Sequence, residues 1–296
     1  MNKFLEKLSK SGVLVSDGAT GTNLQKAGLP NGVTPETWVM EQPQKIIDLE
    51  HAFIEAGSDI ILTCTFGGTP LRMKESPYHD QAADLNRKAV ELARTAADGY
   101  PDVLIAGSMG PVGSLIKPYG PLSTDVVYEA YHTQAAALIG AGVDFLVIET
   151  QFSLDEAKAA VNAAKNTGDL PIVISFSYDR GLRTMMGVRP SQVVETFIPM
   201  GVAAIGANCG TTLENMELII KEYASLLNGT PIWAKPNAGM PELNDDGSTI
   251  FNVTPEEIGE TAIRLVAAGA KIVGGCCGNS PEHIANISHK LKSLKN

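Results

Sequence analysis

DFLVIETQFSLDEAKAAVNAAKNTG, residues 144–168, holds one complete structural unit. Its opening run, DFLVIET, is apolar without the polar alternation of a half-exposed strand. Such a run suits a strand covered on both faces, as in a parallel sheet. Ser153 then stands where a helix cap belongs, Asp155 and Glu156 fill the first turn, and Gly168 ends the amphipathic stretch.

The same order recurs along the chain. Runs of the strand type are VLVSDG (13–18), DIILTCTF (59–66), VLIAGSMG (103–110), PIVISFSY (171–178), AAIGANCG (203–210), PIWAKPN (231–237) and KIVGGCCG (271–278). Helical patterns follow them at 43–57, 80–99, 123–142, 189–201, 212–229, 254–269 and 280–294, several opened by Ser or Thr or with Pro at the first helical position. Eight strands and eight helices in strict alternation, at about 37 residues per unit, predict an α/β fold and a single (β/α)8 TIM barrel. A doubly wound open sheet is the alternative. The longest irregular pieces (19–42, 66–80, 110–122, 178–190 and 237–253) all follow strand ends, the face on which barrel active sites are built.

The bulk composition narrows the function. The 296 residues carry a net charge of −10 and no cluster of lysine and arginine, which argues against nucleic acid and anionic membranes as partners. The N-terminus has no apolar core of a signal peptide, and no apolar stretch approaches bilayer length. Four cysteines without a secretion signal suggest reduced thiols or metal ligands, hence a cytoplasmic protein.

Three of those cysteines sit beside glycine at strand ends: Cys209 in GANCG, and Cys276 and Cys277 in GGCCG. In a closed barrel the ends of strands six and eight share one mouth. Adjacent strand residues point to opposite faces, so Cys276 and Cys277 can serve one centre only where the strand breaks, and the flanking glycines permit that break. Three thiolates around one zinc ion, with the fourth position open to substrate, is the reading these positions favour. Such a site activates a substrate thiol, which points to alkyl transfer onto sulfur with Cys209, Cys276 and Cys277 as the catalytic group. A redox pair formed by Cys276 and Cys277 is the rival. Cys64 reads as a small buried residue, with a role as a fourth zinc ligand as the other option. His51, His79, His132, His283 and His289 fall in helices or a loop and are not expected to ligate metal.

DGATGTNL (17–24), TCTFGG (63–68), GPVG (110–113), IETQFSLDEAKAA (148–160), GANCG (206–210), KPNAG (235–239) and GGCCGNSPEHI (274–284) resemble the homocysteine S-methyltransferase family. Within it, the motifs lean toward the homocysteine-binding module of cobalamin-dependent methionine synthase. The resemblance implies that residues 1–296 form one homocysteine-binding barrel. It implies zinc on Cys209, Cys276 and Cys277, and homocysteine as the acceptor methylated to methionine. It further implies Asp17 and Gly18 as substrate-binding positions and Glu149 as the carboxylate that receives the substrate ammonium. The family commonly has Asn where this chain has Cys64. The chain ends soon after strand eight, so folate-, cobalamin- and activation-type modules are not expected within it. The methyl donor is expected to be methylcobalamin on a separate corrinoid protein, with a small sulfonium compound next. A different thiol acceptor in a corrinoid system, and a non-catalytic homocysteine-binding subunit, are the remaining alternatives.

Overall fold

The computed structural model describes residues 2–244 and 249–293. Part of the irregular piece 237–253 and the last residue of the helix expected at 280–294 therefore lie outside the described residues.

Eight parallel strands form the barrel: β1 (Leu14–Val15), β2 (Ile60–Leu62), β3 (Leu104–Met109), β4 (Phe145–Gln151), β5 (Ile172–Phe176), β6 (Ala204–Asn208), β7 (Ile232–Lys235) and β8 (Ile272–Val273). Each pairs with its sequence neighbours, and β8 pairs with β1 through Leu14↔Ile272 and Val15↔Val273. Closure between β1 and β2 is made by a parallel bridge from Ser16 to Ile60, with Asp17 N–H donating to the Ile60 carbonyl at 3.0 Å. The chain is thus a (β/α)8 barrel rather than an open sheet.

Apart from β4, the strands are shorter than the apolar runs that announce them, because those runs continue past their last ladder bond into a loop at the mouth. The helices behave as their caps predict. Ser123, Ser153 and Thr212 each accept from a backbone N–H in the first turn, and Thr254 with Glu257 forms a reciprocal capping box. The helix read at 189–201 is shorter, Pro190–Phe197.

Several features went unread in the sequence. A helix at Lys3–Lys10 closes the bottom of the barrel, where Phe4 stacks on Phe145 with ring centroids 4.0 Å apart. The supposedly irregular piece 19–42 contains two short helices, Thr20–Lys26 and Thr37–Glu41. They cover a separate apolar cluster that includes Trp38, Val39, Leu85 and Cys64. Both helices are short and lack a continuous apolar stripe, so periodicity alone does not show them.

Inside the barrel, side chains alternate with a period of two. Along β4, Phe145 and Val147 fill the interior while Leu146 and Ile148 pack against helices. The same phase puts Leu104 and Ala106 of β3, Val173 of β5, Ala204 of β6 and Trp233 of β7 inside. Carried upward, it places Ser108, Glu149, Ser175, Asn208 and Lys235 in one polar layer at the mouth. None of the helices described is long and apolar enough to cross a membrane.

Trp233 is fully buried and is accommodated by a glycine on the neighbouring strand. A Cβ at Gly206 would stand 1.8 Å from the Trp233 carbonyl oxygen, so the two strands approach too closely for any side chain. Gly206→Ala is expected to lower unfolding free energy by about 3 kcal/mol, the upper range for forced overpacking. Chemical denaturation of the purified variant measures it, and an unchanged midpoint would show that the strands part easily.

Candidate metal and substrate site

Cys209 follows directly on β6, and Cys276 and Cys277 follow β8 after two glycines. Backbone bonds hold the second pair in place. Cys276 N–H donates to the Pro236 carbonyl at 2.7 Å, Ala238 N–H donates to the Cys277 carbonyl at 2.9 Å, and Gly275 N–H donates to the Asp17 carbonyl at 2.9 Å. Asn279 Nδ2 adds a bond to the Pro236 carbonyl at 3.0 Å. The chain turns sharply between the adjacent cysteines, and both sulfurs reach one point.

The sulfurs of Cys209, Cys276 and Cys277 all lie within 4.8 Å of one another, and Cys209 and Cys277 are 3.9 Å apart. Among the described residues, this is the one group of three or more His, Cys, Asp and Glu side chains gathered closely enough to hold a metal ion. Hydrogen bonds from Cys276 and Cys277 pull the Cys209 thiol well below the usual thiol range. Its hydrogen bond with Cys209 and its burial push the Cys276 thiol up, and Cys277 moves the same way. A soft cation at the centre of the three would replace those shared protons. Asn237 Oδ1, buried and without a hydrogen-bond partner among the described residues, lies on a side chain adjacent to Cys209. Three converging sulfurs and an orphaned oxygen fit a thiophilic divalent ion.

Cys64 is not in this group. It lines the same cavity from β2's end, but its thiol is 3% exposed and sits in the apolar cluster under the 19–42 segment. Burial and the nearby Glu36 and Glu50 carboxyls push its pKa well up, so it stays a neutral thiol. The histidines also stay outside the group; His283, for example, is held by Ser280 and the Val253 carbonyl.

The cavity beside the sulfurs has a volume of about 370 Å³. Its inner wall includes Gly18, Glu149, Thr150 and Lys235 together with the three cysteines. Glu149 is 6% exposed, and its Oε1 accepts from Ser108 Oγ at 2.6 Å. Its Oε2 has no partner among the described residues. Burial raises its pKa to about 7, against the opposing pull of Lys235. The N–H of Gly18 likewise has no partner among the described residues.

Asp17 is differently placed. It does not line the cavity; Oδ1 takes the Lys235 ammonium at 2.6 Å and Oδ2 accepts Leu62 N–H at 2.7 Å. Its carboxylate is already satisfied inside the protein. Lys235 is nearly fully buried, and although burial pulls its pKa down, Asp17 and Glu149 outweigh that and hold it up as an ammonium. Lys235, Ser108, Asn208 and Asn237 are site residues that the sequence reading missed. Lys235 did leave a signal: a lysine at the end of an apolar strand is a charge with no water to face.

This geometry has parallels among known proteins. The profile of a family described as homocysteine S-methyltransferase matches residues 14–291. Methionine synthase of Mycobacterium tuberculosis is 30% identical over 99% of this chain, and that of Mycobacterium leprae is 29% identical over 96%. The matched regions are 26% and 25% of those proteins, so the chain spans about a quarter of their length. The crystal structure of the homocysteine methyltransferase MmuM from Escherichia coli, in its metallated form, superposes with a TM-score of 0.84 at 25% identity. That match covers 98% of this chain and all of MmuM. The profile match alone takes in the first barrel strand, all three clustered cysteines and the last helix almost to its end, and the chain belongs to the homocysteine S-methyltransferase family.

Proposed function

We propose that this protein is a zinc-dependent methyltransferase that methylates the thiol of homocysteine to give methionine. One observation carries the reading: three cysteine sulfurs converge at the barrel mouth in the same cavity as the buried Glu149 carboxyl, one of whose oxygens has no partner among the described residues. Cys209, Cys276 and Cys277 would hold the zinc. Bound there, the ion would supply the Lewis acidity that turns the acceptor thiol, ordinarily protonated at neutral pH, into a thiolate.

The chain's own residues then place the substrate. Glu149 Oε2 receives the acceptor ammonium, and Ser108 fixes the carboxylate rotamer from the other oxygen. Gly18 offers its free backbone N–H to the acceptor carboxylate. Asp17 contributes from behind, by holding the Lys235 ammonium rather than by touching substrate. The acceptor's sulfur attacks the donor's methyl carbon in line. The new S–C bond forms as the donor's bond to methyl breaks, and the leaving group keeps the electron pair. The acceptor's thiol proton goes to solvent, so orientation and thiol activation supply the rate. The leaning of the motifs and the methionine synthase relatives support a methyl-corrinoid protein as donor, with a small sulfonium compound as second choice. A reducing compartment, the cytoplasm, suits a site built of free thiols.

Cys209→Ala is expected to lose both bound zinc and homocysteine methylation. Metal analysis beside an assay across methyl donors, a methylated corrinoid protein included, tests this; full turnover without zinc would end the proposal. Glu149→Gln is expected to keep zinc and weaken homocysteine binding about 30-fold, near 2 kcal/mol for a lost charged hydrogen bond. The ammonium needs the ionised carboxyl, whose pKa is raised, so affinity should fall as pH drops through about 7. Calorimetric titration over pH 6–8 should show this fall in the parent and a flatter profile in Glu149→Gln. Identical profiles would remove Glu149 from ammonium binding.

A further inference from the structure

Among the described residues, only Thr150 (φ 59°) and Cys209 (φ 60°) hold a positive φ without being glycine. For threonine the conformation is costly, because a β-branched side chain crowds the backbone there. Each lies at a working position: Thr150 directly follows Glu149, and Cys209 is one of the three clustered thiols. The two are more than fifty residues apart in sequence, yet one side chain joins them.

That side chain is Asn208. It is fully buried in the polar layer at the mouth, and every polar atom of its carboxamide is engaged. Its Oδ1 accepts from Thr150 N–H at 3.0 Å and from Ser175 Oγ at 2.6 Å. Its Nδ2 donates to Thr150 Oγ1 at 2.7 Å and approaches Cys276 Sγ at 3.7 Å. Thr150 is therefore gripped at both its backbone and its hydroxyl. The β4–β5 register shifts between Ile148 and Gln151, which is the local distortion this grip sustains. The backbone that carries Glu149 and the one that carries Cys209 are fastened to the same amide group.

We infer that Asn208 is a positioning residue that locks the strained Thr150 peptide and thereby aims the Glu149 carboxylate at the acceptor's ammonium, in register with the thiol cluster. The inference rests on the reading of Glu149 given above. Without Asn208, Thr150 relaxes toward an ordinary φ, and Glu149 turns with the peptide that follows it. The metal end of the cavity keeps its three sulfurs and loses only the long 3.7 Å approach of Nδ2 to Cys276 Sγ, while the amino-acid end loses its alignment. The defect is specific to the ammonium contact.

The test compares two ligands on zinc-loaded protein: homocysteine, and 4-sulfanylbutanoate, which is homocysteine without its amino group. In Asn208→Ala the dissociation constant for homocysteine should rise about tenfold, the scale of one charged hydrogen bond misaligned, while that for the desamino thiol changes less than about twofold. Adding Thr150→Gly should restore most of the lost homocysteine affinity, because glycine adopts a positive φ without steric cost. Parallel weakening of both ligands, or no recovery in the double variant, overturns the inference. If the alanine variant does not accumulate, Asn208→Ser, too short to reach Thr150, replaces it with the same two readings. Glu149→Gln is run alongside. If it leaves homocysteine binding unchanged, the role given to Glu149 has failed; if it weakens binding and the Asn208 variants do not, only the present inference has.

Discussion

Everything at this site depends on the closure of a parallel barrel. When eight strands run the same way around one axis, their last inward side chains all face one mouth. β6 and β8 both pair with β7, so the cysteines at their ends stand one strand apart at that mouth. Closure also stacks Ser108, Glu149, Ser175, Asn208 and Lys235 above an apolar floor made by Val147, Val173 and Trp233.

The polar layer is electrostatically demanding. It confines a lysine, two carboxyl groups and three thiols where water has little access. A buried ion pair of this kind seldom adds net stability, because desolvating both charges offsets their attraction. The pair of Lys235 and Asp17 is better understood as a way to set the charge of the cavity wall. It neutralises one carboxylate internally and leaves the other, on Glu149, with an oxygen free to meet a cation. Burial raises the pKa of that second carboxyl to about 7, disfavouring its charged form until a positive group arrives. Strain belongs to the same economy. Two residues held at positive φ cost folding free energy, and the buried amide of Asn208 bonds both the N–H and the hydroxyl of one of them, Thr150.

Much of the fold could be read in advance because parallel barrels write their period openly. Unalternating apolar runs followed by helical stretches recur eight times, seven of those stretches ending at a glycine, and each announced helix is present within a few residues of its expected ends apart from the short one at Pro190–Phe197. The helix at Lys3–Lys10 could not be anticipated as a plug, because nothing in KFLEKLSK says that Phe4 will find Phe145. The segment 19–42 hid two short helices for a similar reason: their burial comes from a cluster assembled with distant residues such as Leu85.

The candidate site divides along the same line. The amino-acid sequence by itself determined the three cysteines, since thiols beside glycine at strand ends are a local pattern of residue types. Glu149 was marked through the family resemblance of the stretch IETQFSLDEAKAA rather than by its place in an apolar run. Only the tertiary structure decided that Asp17 spends its charge on Lys235, that Cys64 stays a neutral thiol among apolar neighbours, and that Asn208 joins two strained positions. Those outcomes turn on which groups meet across the barrel and how little water reaches them. Pairing and desolvation are properties of a closed three-dimensional arrangement, and no local stretch of chain encodes them.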